Sequence, residues 1–300
     1  MTWFYIGLFA YFLNAASSII SKIMLEDLVP NPWVYTFAVN VLGILVLFLI
    51  PFGFHFPGIL VVIASIGSGI AYTFALLVFY KLLYKEEASQ VVPIVGGITP
   101  IFVFGMAFLG LDELLKFNQV IGFVLIVFGS FIISHEESFK ERMKHMGVKL
   151  FWGSVLAAFL FGLSQVLMKF VFNNDAFLDG FIWRGFGAVV GSLILLLPRK
   201  GRGDILNSFK KSSAKTGTIF LVGQIAAVLS FVLVNYAFSL GPVSLVNALS
   251  GVQYVFLFAF IVLFSRKYSK LLREPLRPAI IKQKVWSIIL ITLGVAALFI

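Results

Sequence analysis

Apolar side chains in this chain come in long unbroken runs, not in the alternating or three-to-four spacing of a half-buried strand or helix. The runs fall at roughly 3–24, 33–53, 58–82, 88–109, 117–134, 148–170, 177–197, 216–239, 242–265 and 284–300. Charge clusters, or Pro and Gly, separate them. A helix needs about 20 mainly apolar residues to cross hydrocarbon, so the pattern predicts an all-α integral membrane protein of ten transmembrane helices. Two boundaries rest on breakers alone. Pro51 to Gly58 contains no Lys, Arg, Asp or Glu, and Ser239-Leu240-Gly241-Pro242 is the only punctuation between the eighth and ninth runs. Fusing either pair would leave nine spans.

Composition agrees with lipid as the solvent. The 300 residues are 60% hydrophobic and 12% charged, whereas soluble chains average roughly 45–50% and about 25%. There is no cysteine, which excludes disulfides, thiol catalysis and Cys-based metal sites. The first run begins at Trp3 with no basic segment before it, so it reads as a span and not as a signal peptide. Cytoplasmic loops retain Lys and Arg. Of the 23 basic residues only Lys116, Lys169 and Arg184 lie outside the odd-numbered loops. The odd loops are therefore expected in the cytoplasm and both termini outside, in a cell inner (plasma) membrane. The formal charge of +10 is then a topology signal. Its dispersal among loops, without interleaved aromatics, argues against nucleic acid as a partner.

The chain also matches itself. Displaced by 147 residues, Ser17–Leu25 (SSIISKIML) meets Ser164–Phe172 (SQVLMKFVF), pairing Ser17 with Ser164 and Lys22 with Lys169. At 155, Ser89 meets Ser244 and Gly96 meets Gly251; at 165, Gly129 meets Gly294. These registers divide the chain at 1–146 and 147–300 into two repeats of five spans. An odd number of crossings inserts the second repeat upside down. Inverted repeats of this kind typify transporters that hold substrate near the bilayer midplane and rock one half against the other.

The segment GGITPIFVFGMAFLGLDELLKFNQVIGFVLIVFGSFII, Gly96 to Ile133, resembles the EamA module of the drug/metabolite transporter superfamily. Pro100 in the fourth span, the turn Gly110-Leu111-Asp112-Glu113, and Gly122 and Gly129 in the fifth fill the places of that module. In the second copy Val255 stands where Pro100 does, and a long basic loop replaces the acidic turn. The resemblance implies two tandem modules and a ten-helix exporter or importer of small metabolites such as amino acids or related solutes, with export the direction expected. Small members of the superfamily that move lipid-linked sugars leave a lipid flippase as the alternative.

Thirteen acidic residues occur, all near span ends, so a carboxylate proton relay of the kind pumps place inside a span is not expected. Polar groups within spans are the candidates for substrate contact. They are Asn14, Ser17 and Ser18, which share a face of the first span with Ser21; Ser164 and Gln165 in the sixth; and Trp183 and Arg184 in the outer part of the seventh. Tyr72, Gln90, Thr99, Asn235, Tyr236, Asn247, Ser250, Gln253 and Tyr254 complete the set. Each either lines a cavity or bonds a neighbouring helix, since an unpaired buried amide or hydroxyl costs about 1–3 kcal/mol. Trp183 with Arg184 reads either as a carboxylate-binding pair or as interfacial anchors. Pro93, Gly96, Gly97 and Pro100 mark an expected hinge, because each proline removes a backbone hydrogen bond. Gly187 and Gly191 read as helix packing.

The three histidines are too scattered for a metal site, no HExxH or GxSxG motif occurs, and neither enzymatic activity nor a cofactor is expected. The expected partners are a small-molecule substrate and membrane lipids. The sequence sets no oligomeric state.

Overall fold

The computed structural model describes residues 1–23, 31–86, 88–133, 147–211, 214–264 and 278–299. Helix is the regular structure throughout these residues, and no strand occurs among them. In hydrocarbon each backbone N–H and C=O must be satisfied within its own segment, which is why the apolar runs fold this way. The helices are α1 (Thr2–Ile23), α2 (Pro32–Val41), α3 (Ile59–Lys85), α4 (Ala88–Leu111), α5 (Phe117–Ile133), α6 (Val148–Asn174), α7 (Phe177–Ile194), α8 (Arg199–Lys211), α9 (Ala214–Leu240), α10 (Val243–Ala248), α11 (Ser250–Phe264) and α12 (Pro278–Ala297). Among the described residues, six segments have the length and hydropathy to cross a membrane: Pro32–Phe52, Ile59–Lys85, Ile94–Leu111, Val148–Asn174, Phe177–Ile194 and Val243–Phe260. Phe117–Ile133 and Ile225–Leu240 are shorter apolar helices. The chain is an all-α membrane protein.

Three local features depart from the sequence expectations. First, α4 runs unbroken through Pro93, Gly96, Gly97 and Pro100, so the expected hinge is not a break. Membrane helices tolerate such residues because neighbouring hydroxyls and helices take up the freed backbone groups; beside Pro100 the Thr99 hydroxyl donates to the Val95 carbonyl at 2.7 Å, one residue from the Gly96 carbonyl that the proline leaves without its helical donor. The interruption falls in the ninth run instead, at Leu249 between α10 and α11. Second, α2 tightens into a 3₁₀ helix over Leu42–Phe52. Third, the basic stretch after α7 is not merely a loop but contains α8. Asn31 caps α2, its side chain accepting from the Trp33 N–H, and Gly201 of α8 lies against Trp33. Ile205 joins Val34, Leu77 and Leu195 in a small core.

Long pairwise contacts organise the bundle. α5 and α12 run antiparallel: Asn118 Nδ2 donates to the Ala297 carbonyl at 3.2 Å and Gln283 Nε2 to that of Ile132 at 2.8 Å. Between these ends Gly122 and Gly294 sit on one another's backbones. α3 and α6 are also antiparallel, with Ser68 opposite Ser164 and Leu82 opposite Gly153. α1 and α9 follow suit, with Trp3 against Gly241 and Ser230 Oγ donating to the Ala10 carbonyl at 2.8 Å. α3 and α7 lie parallel and closer still. A Cβ at Gly69 would collide with the backbone of Arg184 and Ala188, and one at Gly187 with the backbone of Ile66. The packing role expected of Gly187 and Gly191 is seen here, Gly191 resting on Thr73.

Candidate functional site

Where α3, α6, α7 and α9 meet, Arg184 is 5% exposed. It lies not at the outer margin of the seventh span but against residues from the middle of three other helices. Its guanidinium carbon is 4.7 Å from the ring centre of Tyr72 on α3 and 4.2 Å from that of Phe231 on α9. One terminal nitrogen makes a long 3.5 Å contact with the Ser164 hydroxyl on α6, while Nε is buried without a partner. Ser164 is held in turn by Ser68, whose hydroxyl donates to the Ser164 carbonyl at 2.7 Å and lies 3.0 Å from its hydroxyl. No carboxylate pairs with Arg184 among the described residues, because Asp179, also on α7 and 1% exposed, accepts from the His55 N–H at 2.8 Å.

Around this cation the rings form a file. Phe177, Phe181, Phe231, Tyr72, Phe161 and Phe79 are each 5.3–6.0 Å from the next. The file continues through Tyr80 to Tyr35. It starts at the first residue of α7 and ends near the last turn of α3, so it traverses the bundle with Arg184 about midway.

Two further polar junctions involve sequence candidates. The Asn247 amide on α10 donates to the Gln165 side-chain oxygen on α6, and the other amide atom of Asn247, Oδ1, is buried unpaired. Gln253 Nε2 on α11 donates to the Ser18 hydroxyl at 3.1 Å, and Ser17 and Ser18 both donate to the Asn14 carbonyl. α6 thus joins the first two junctions through consecutive residues, Ser164 and Gln165.

Other candidates are not gathered there. Tyr236 is 40% exposed on the outer surface with its ring against Phe177. Trp183 turns away from Arg184 toward Phe54, Phe56 and Phe186. Asn235 donates to the Phe231 carbonyl of its own helix at 2.8 Å, and Thr99 does the same within α4. The Tyr254 hydroxyl lies directly on Gly96, so that glycine serves a close crossing of α4 and α11. Ser250 is half-buried. The side chains of Ser21, Lys22, Gln90 and Pro93 lie outside the described residues.

Thr36, Asn40 and the capping role of Glu113 escaped the sequence reading. Thr73 donates to Asn40 Oδ1 at 3.1 Å, and Asn40 Nδ2 to the Thr36 carbonyl at 2.9 Å; the polar i, i+4 pair Thr36 and Asn40 inside an apolar run was the available signal. Glu113 accepts from the N–H groups of Val243 and Ser244 at 2.8 and 3.0 Å, which caps α10 across the length of the chain. Lys169 donates to the Phe238 carbonyl at 3.0 Å beside Glu113, in a pocket of about 280 Å³ that Asn173 and Pro242 complete. A second, wholly apolar cleft of about 320 Å³ opens between α4 and α5, lined by Gly97, Ile101, Phe123, Val127, Phe128 and Phe131 among others. No cluster of three or more metal-ligating side chains occurs among the described residues.

Comparison with known proteins places this architecture. The fold is similar to that of a solved crystal structure at a TM-score of 0.67, covering 99% of this chain and 96% of the other at 14% identity. A stretch of 134 residues, 43% of this chain, is 29% identical to an uncharacterized protein of Methanocaldococcus jannaschii and covers 93% of it. Residues 1–135 match the EamA-like transporter family, a family of transporters and not of enzymes. Residues 1–135 are accordingly an EamA-family domain of the drug/metabolite transporter superfamily.

Proposed function

We propose that this protein is a secondary transporter of small organic metabolites, built of two inverted five-helix repeats, 1–146 and 147–300, that give alternating access to a site around Arg184. The observation that carries the reading is that residue. An ionisable group in the interior of a membrane bundle is costly and marks a substrate or ion pathway by default, and Arg184 is held where elements of both halves converge.

The helix contacts support the duplication. Exchanging the halves turns the α3–α6 pair into α9–α1 and returns the α5–α12 pair to itself, and both predicted partners pack extensively. The exchange is not exact, and it fails most plainly where α3 lies tight on α7, whereas α9 makes no comparable contact with α2 among the described residues. Two halves of like fold in unlike contact are what one end-state of a rocking mechanism requires. Both termini are placed outside the cell membrane, with the odd loops in the cytoplasm, and export is the direction assigned. Amino acids and related solutes are the substrate class to test first.

The lipid-flippase reading draws on the apolar cleft between α4 and α5. That cleft has no polar lining to receive a headgroup, which makes it the lesser reading. The test is a counterflow screen in proteoliposomes over amino acids, organic acids, nucleosides, polyamines and cationic drugs. Accelerated exchange of at least one solute is expected. Exchange of none, together with scrambling of a fluorescent lipid, would overturn solute transport in favour of the flippase.

A further inference from the structure

Arginine cannot lose its proton in a protein, so Arg184 brings a permanent charge into the bundle. Two aromatic faces offset part of its desolvation, since a cation–π contact contributes roughly 0.5–2 kcal/mol against a penalty of several kcal/mol per buried ion. The remaining complement would be an acceptor for the unpaired Nε, the guanidinium edge best suited to a planar carboxylate. The surroundings narrow the ligand further. The other cation on the adjoining helix, Lys169, is engaged by the Phe238 carbonyl, so a single positive charge is offered. Among the described residues no carboxylate pairs with the Arg184 guanidinium, Asp179 accepting instead from the His55 N–H, so nothing beside that guanidinium is placed to receive an ammonium. The walls are the rings of Tyr72, Phe231, Phe161 and Phe181, in a file that extends toward both ends of the bundle.

From this we infer that the Arg184 site takes a small organic monoanion, a carboxylate carried on an aromatic or apolar body, in preference to a zwitterionic amino acid. The inference rests on the transport reading only for its biological purpose, because binding can be measured without a gradient. The Arg184 guanidinium would pair with the carboxylate, the Ser164 hydroxyl would donate a second bond, and the aromatic file would accept the body of the solute along its path.

The experiment is equilibrium binding to the purified full-length protein in nanodiscs, using four probes of one shape: phenylacetate, phenylacetamide, phenylalanine and phenethylamine. Phenylacetate is expected to bind best, and Arg184→Gln to weaken it on the order of a hundredfold, as loss of one partner of a buried charge pair does. Arg184→Lys should recover part of this. Tighter binding of phenylalanine or phenethylamine than of phenylacetate to the wild-type protein would overturn the proposal, and that comparison needs no variant to fold. Equal binding of phenylacetate by wild type and a folded Arg184→Gln would overturn it too, as would failure of phenylacetate to bind at all. Counterflow of radiolabelled phenylacetate then separates the two claims. Charge-selective binding without movement upholds the site and counts against transport, whereas movement of solutes irrespective of charge, unchanged in Arg184→Gln, upholds transport and rejects the site.

Discussion

Glu113 and Asn247 illustrate how single side chains tie distant parts of this chain together. A helix N-terminus presents unsatisfied N–H groups and a partial positive charge, and Glu113 meets two such groups at the start of α10. Glu113→Ala should cost about 1 kcal/mol, the usual loss on removing a cap, read as a lower unfolding temperature in detergent, with Glu113→Gln recovering part. An unchanged transition would remove the cap from the account. Asn247→Ala leaves the Gln165 oxygen unpaired, and Gln253→Ala removes the donor to the Ser18 hydroxyl, which keeps only its bond to Asn14. Each loss is expected to impair transport with membrane abundance nearly unchanged, measured by flux and quantitative blot. A fall in abundance matching the fall in flux would instead assign both amides to packing.

At the scale of elements, lipid provides no hydrophobic drive for two helices to associate, so small residues that let backbones approach determine the contacts. The α3–α7 crossing depends on Gly69 and Gly187, which each face the other helix's backbone. Gly187→Leu should destabilise by about 3 kcal/mol or more, beyond the usual range for overpacking because backbone cannot yield. Gly110→Leu, where a side chain meets open space, is the tolerated control, and folded yield by size-exclusion chromatography compares them. The α3–α6 pair offers a second test, since the Ser68 and Ser164 hydroxyl oxygens are 3.0 Å apart. In this cysteine-free chain, Ser68→Cys with Ser164→Cys should oxidise to a disulfide and lose both sites to maleimide–polyethylene glycol. Persistent labelling of both would contradict the antiparallel register of these helices.

For the molecule as a whole, the distribution of Lys and Arg sets orientation. Cysteines introduced at Lys144 and Arg202 should resist an impermeant maleimide applied outside intact cells, and one at Lys116 should react. The reverse pattern would invert the topology.

The existence of the helices and the family of the first 135 residues were legible in the amino-acid order, because hydrocarbon rewards long apolar runs wherever they lie and turns are marked locally. Which polar groups meet was not legible. Ser68, Ser164, Tyr72, Arg184 and Phe231 are scattered over more than half the chain and converge only when four helices cross, so nothing local distinguished Arg184 from an interfacial anchor. The prolines of α4 carry the same lesson: whether they interrupt a helix depends on what neighbouring groups supply. Solvent preference is a property of each segment and can be read from it, whereas a buried charge acquires its meaning from whatever surrounds it, and only tertiary packing decides that.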